Sequence, residues 1–131
     1  MCSSDLRTVV SAHCDLPCGV YDPAQARIEA ESVKAIAEKY QANTDPEFRT
    51  RAILIKEQRA DLVKHHLWVL WTDYFKAPHF EKYPQLHTLF NEATKLAGAG
   101  GAKGSADPEV ADRLLAKIAE ISDIFWETKK A

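Results

Sequence analysis

Long apolar runs, blocks of like charge and strand-period alternation are all missing from this chain, and each absence removes a class of function. No stretch approaches the roughly 20 apolar residues that span a bilayer, and the opening "MCSSDLRTVVSA" lacks the apolar core of a secretory signal. A cytoplasmic protein with no membrane partner is expected. The formal net charge is −2, with no Lys/Arg block or basic stripe, so no nucleic-acid partner is expected either. Cysteine is scarce and odd in number, at three residues, which excludes a fully paired disulfide scaffold and points to thiols kept reduced in the cytosol. The 131 residues, 46% of them apolar, suit one domain with a real core.

What is present is helical punctuation. Asp-Pro occurs at 22–23, 45–46 and 107–108, each time ahead of a helical pattern. An Asp can cap a helix N-terminus, and Pro fits its first position, where no N–H is needed. Asp22 with Gln25 also has the spacing of a capping box. The first helix is predicted over 23–41, with an apolar stripe of Ile28, Val33, Ile36, Ala37 and Tyr40. The second is predicted over 46–75, with Ile55, Leu62 and Val69 one heptad apart and Pro78 closing it. A third opens near Pro84 and carries Leu86, Leu89, Phe90, Ala93, Leu96 and Ala97. "GAGGAKGSA", residues 98–106, reads as a flexible linker. The fourth helix follows Pro108, with Val110, Leu114, Ile118, Ile121 and Phe125 on one face. Four such helices bury their stripes most simply as an all-α, antiparallel four-helix bundle.

Bundles often hold metals between helices, but a di-iron site needs Glu-x-x-His pairs, and no Glu here has His three residues on. His65, His66, His79 and His87 are expected at helix surfaces or interfaces. The chemistry concentrates instead in "HCDLPCGVY", ahead of the bundle. Cys14 and Cys18 are soft donors at a spacing seen in half of a zinc site, with no second half following. A disulfide, a redox switch or two loop thiols would fit the pair equally. Two thiolates with adjacent nitrogen donors, from the backbone and His13, also suit a square-planar Ni(II) ion. Pro17 stiffens the turn and Gly19 lets the chain leave it.

"HCDLPCGVYDPAQARIEAESVKA" closely resembles the metal hook and first helix of the nickel superoxide dismutases, and "KEQRADLVKHH", "DYFKAPHFEKYP" and "IFWETKKA" look like the same family. The resemblance covers residues 13–131. It implies a homohexamer of four-helix bundles, each with one nickel ion in an N-terminal hook outside the bundle, converting superoxide to dioxygen and hydrogen peroxide by Ni(II)/Ni(III) cycling. By the same resemblance, Cys14 and Cys18 supply thiolates, the amide nitrogen of Cys14 and the α-amino group of His13 complete the plane, and the His13 imidazole is the axial ligand. An α-amino ligand exists only if residues 1–12, a leader or a remnant foreign to the family, are removed by a peptidase. Residues 13–21 are then the hook and 22–131 the bundle.

Charges within apolar stripes are rarely left unpaired, so Glu29 and Arg59 are expected to pair. They either brace the bundle or, as the family implies, orient the His13 imidazole. Tyr21 and Tyr74 resemble the tyrosines at the open face of the nickel. Asp15 and Pro17 would shape the hook, and Lys76 would steer the superoxide anion or simply be solvated at a helix end. Trp68, Trp71 and Trp126 suit an oligomer interface or core filling. Two alternatives stay open: a non-catalytic metal carrier or sensor, and a Cys14/Cys18 redox-switch module.

Overall fold

The computed structural model describes residues 19–130. Among these the regular elements are all helical: α1 (Ala24–Ala42), α2 (Pro46–Val69) continued by a π-helical turn (Leu70–Tyr74), a short α3 (Ala77–Lys82), α4 (Leu86–Ala97) and α5 (Pro108–Lys130). The four long helices pack in a closed ring, α1 on α2, α2 on α4, α4 on α5 and α5 on α1. That is the expected four-helix bundle, and no helix among the described residues is long and apolar enough to cross a membrane.

Two of the Asp-Pro starts are built as expected, with small shifts. Asp22 Oδ1 accepts the N–H of Ala24 and Asp107 Oδ1 that of Glu109, both at 2.9 Å. At the third, Asp45 is the N-cap of α2 but its side chain makes no capping bond; Asn43 Oδ1 accepts the Asp45 N–H instead, at 2.8 Å.

The seam between α1 and α2 keeps only part of the apolar stripes read in the sequence, with Val33, Ala37 and Val69 buried as expected. Ala26, Ala30, Val33 and Ala37 are the buried residues of α1, and Ile28 is 52% exposed. On α2 the buried residues are Ala52, Lys56, Ala60, Val63, His66, Leu67 and Val69, so of the expected stripe Val69 is buried while Ile55 lies outside. Alanines let two helices approach closely, and this closeness takes precedence over side-chain size in choosing the buried face. On α4 and α5 the expected faces hold, with Leu86, Leu89, Phe90, Ala93 and Ala97 packed in one core with Leu114, Ile118, Ile121 and Phe125.

Two connections also differ. Pro78 does not close α2; it sits in the first turn of α3, where its missing N–H costs nothing. The segment 98–106 is an ordered loop rather than a flexible spacer. Lys56, 1% exposed, donates from Nζ to the carbonyls of Ala102 and Lys103 at 2.7 and 2.8 Å. The Ala102 N–H returns to the Leu96 carbonyl at 2.6 Å, and Gln41 reaches the Ala106 carbonyl at 2.8 Å. A Cβ on Gly101 would collide with the Leu96 carbonyl, and one on Gly104 with that of Ala99. These glycines allow close backbone approach, so a glycine-rich composition here produces a tight cap.

Candidate metal centre

The end of the bundle where the chain enters α1 is assembled from three elements. Gly19 leaves the hook segment with φ +79°, in the left-handed region, and a Cβ there would have nothing within 4 Å. Its requirement is therefore conformational and not one of space. Tyr21 follows, and its ring meets that of Tyr74 edge-on, with centroids 5.6 Å apart.

Tyr74 owes its place to the π-helical turn. There the Phe75 N–H bonds back to the Leu70 carbonyl at 3.0 Å, five residues earlier, so the turn is wider than an α-helical one. Phe75 plugs the core at 3% exposure while Tyr74 packs on Phe125 of α5, with centroids 4.4 Å apart. His79 also stacks with Tyr74, centroids 5.8 Å apart, and its Nδ1 accepts the Lys76 N–H at 3.0 Å, which starts α3. Lys76 is exposed, and its Nζ donates to the Asp73 carbonyl at 2.8 Å. His87 bonds the indole N–H of Trp71 at 3.0 Å and stacks on Phe80. Both histidines thus serve helix junctions, as expected.

Along the same seam Arg59 Nη1 donates to Glu29 Oε1 at 3.0 Å, joining α2 to α1 with Glu29 only 18% exposed. The expected pair forms. The structure thus brings Tyr21 to Tyr74 and Glu29 to Arg59. His13, Cys14, Asp15, Pro17 and Cys18 lie outside the described residues. Two neighbours of Tyr74 escaped the sequence reading: Thr128, whose Oγ1 is 2.7 Å from the phenol oxygen, and Lys129, whose Nζ lies 5.2 Å from the ring centroid. Both come from the last turn of α5, and no spacing in the chain links them to residue 74.

Among the described residues no group of three His, Cys, Asp or Glu side chains could hold a metal ion. All three cysteines precede Gly19. Every thiol that could serve as a soft metal donor therefore precedes the described residues.

Residues 8–129 match the profile of the nickel-containing superoxide dismutases. The chain belongs to that family. It is 66% identical over 125 residues to the nickel superoxide dismutase of Streptomyces coelicolor, covering 95% of this chain and 94% of the relative. It is 70% identical over 122 residues to that of Streptomyces seoulensis, covering 93% and 92%. A solved nickel superoxide dismutase with its ligation in the oxidised state superposes with a TM-score of 0.87 at 69% identity, over 91% of this chain and all of the other. The native structure of a nickel superoxide dismutase gives the same TM-score at 67% identity. This nickel dismutase accordingly disproportionates superoxide to dioxygen and hydrogen peroxide, with nickel as its cofactor. The carrier and redox-switch alternatives are not favoured.

Proposed function

We propose that residues 13–18 would hold one nickel ion, through the thiolates of Cys14 and Cys18, the amide nitrogen of Cys14, and the α-amino group and imidazole of His13. The observation that carries this reading is the confinement of every cysteine to the segment before Gly19, together with the lack of any metal-holding cluster among the described residues. The donor set fits the metal: thiolates and an amidate are anionic and strongly donating, and they stabilise the higher oxidation state of nickel. Nickel bound there would supply a one-electron Ni(II)/Ni(III) couple suited to oxidising one superoxide and reducing the next.

The surrounding residues then have separate tasks. Asp15 and Pro17 shape the turn, and Gly19 lets it reverse into the bundle. Glu29, oriented by Arg59, holds the His13 ring through its free nitrogen. Tyr21 and Tyr74 order water at the open side and limit which small anions arrive there. Lys76 and Lys129 give this end of an acidic protein a local positive potential that draws in superoxide. The exposed apolar side chains Ile28, Leu54, Ile55, Trp68 and Trp126 supply the faces by which a homohexamer assembles in the cytoplasm.

The α-amino ligand makes removal of residues 1–12 by a peptidase a condition of activity, because acylation by Ala12 turns that neutral amine into an amide, a different donor that binds a metal only after losing its proton. Chains beginning at Met1 and at His13, each supplied with nickel, test this. Stoichiometric metal and dismutation are expected from the second alone, and full activity of the uncleaved chain would contradict the ligand set.

A further inference from the structure

The last turn of α5 carries a short chain of hydroxyl groups that determines how the Tyr74 phenol meets its surroundings. Thr128 Oγ1 lies 2.6 Å from the carbonyl oxygen of Phe125 and 2.7 Å from the phenol oxygen of Tyr74. A carbonyl only accepts, so the single hydroxyl proton of Thr128 goes to Phe125. Its oxygen then has only lone pairs to offer, and Tyr74 must be the donor in the second bond. The one proton of the phenol is committed to the fold.

The rest of the packing leaves the ring little freedom to change this. Phe125 lies against it at 4.4 Å, His79 stacks at 5.8 Å and Phe75 meets it edge-on at 5.0 Å. Any molecule that reaches the phenol oxygen from the Tyr21 side therefore meets lone pairs. Lone pairs accept from water and hydrogen peroxide and repel small anions.

We propose that Thr128 is a positioning residue of the dismutase, one that accepts the Tyr74 O–H hydrogen bond and so makes the phenol a hydrogen-bond acceptor toward any other molecule that reaches it. This rests on the reading of Tyr74 as a residue of the site. It follows that Tyr74 holds water and product in place and is not the source of the protons in hydrogen peroxide. A phenol freed from Thr128 would turn its O–H outward and become a donor that retains anions.

The test compares Thr128→Val, Thr128→Ser, Tyr74→Phe and the double variant Thr128→Val/Tyr74→Phe, processed and nickel-loaded, with azide as the probe anion. Ultraviolet resonance Raman spectra of the metal-free chains, taken as differences from Tyr74→Phe, report whether the phenol donates. In Thr128→Val the signature should shift, because the O–H leaves the fixed Thr128 acceptor for water, and azide should inhibit about tenfold more strongly, the worth of one added hydrogen bond. Thr128→Ser should behave as the parent, and adding Thr128→Val to Tyr74→Phe should change nothing further. Thr128→Ala serves equally if the valine variant folds poorly. An unchanged Raman signature and azide response in Thr128→Val, with Tyr74→Phe clearly impaired, overturns the proposal alone. An equal shift in both backgrounds also overturns it, by showing a merely structural effect. A Tyr74→Phe variant with parental turnover and azide response removes the reading of Tyr74 and the proposal with it.

Discussion

At the scale of single residues, the site depends on pairings whose partners are far apart in the chain. Glu29 and Arg59 were legible because each interrupts an apolar pattern, and a charge in such a place needs a counter-charge. Thr128 was not legible, because a threonine in the last turn of a helix is ordinary until the fold sets it beside Tyr74. The Glu29–Arg59 bond is partly exposed, with Arg59 at 37%, so its contribution to stability is small, about 0.5–1 kcal/mol. Its effect on a metal ligand should be larger. Glu29→Gln is expected to lower dismutation roughly 10- to 100-fold, as for other residues that orient metal-bound histidines, while thermal unfolding shifts by only a few degrees; a large stability loss with normal specific activity would assign the pair to bracing alone. Gly19→Ala places a side chain at φ +79° and should cost about 1 kcal/mol. Because Gly19 precedes α1, the loss should appear as weaker nickel retention in a chelator competition, with the melting of the metal-free bundle little changed.

At the scale of elements, the positions of α1, α2, α4 and α5 were readable from Asp-Pro starts and helical spacing, and the inner faces of α4 and α5 with them. The α1–α2 seam was misread in part because small residues carry little hydropathy, yet they set how closely two helices approach. The glycine-rich loop was misread for a related reason: composition does not distinguish glycines that confer freedom from glycines that permit contact. Lys56 is the test of that loop. Lys56→Met removes the donor to two carbonyls and should destabilise the protein by roughly 1–3 kcal/mol. Burial lowers the Lys56 pKa from 10.5, with Glu57 opposing. Between that lowered value and 10.5 the unfolded chain binds the proton that the folded chain has released, so folding is favoured as pH rises through this window. The neutral amine still has N–H groups for both carbonyls. Urea denaturation from neutral pH to about 10 should therefore show the parent gaining on Lys56→Met. Lys34 and Lys117 act in the opposite sense. Their pKa values are raised by the hydrogen bonds and charges of Asp112 and Glu92, so what they add is present below 10.5 and is lost above it.

At the scale of the whole molecule, two features bear on assembly and activation: large apolar side chains left exposed on the protomer, and the proposed metal segment, which by that proposal begins only after processing. Trp68 and Trp126 are each nearly half exposed, whereas Trp71 stacks on Phe90 within the protomer. Trp68→Glu should shift a hexamer toward smaller species in light scattering, while Trp71→Glu should unfold the protomer itself. The central proposal, that His13, Cys14 and Cys18 would hold the nickel, is tested most directly by electron paramagnetic resonance of the air-isolated, nickel-loaded protein beginning at His13. A rhombic Ni(III) signal split by a single nitrogen is predicted for a bound His13 imidazole, and the splitting should vanish in His13→Ala. A silent spectrum from protein containing one nickel per chain, or a signal without nitrogen splitting, would contradict the account.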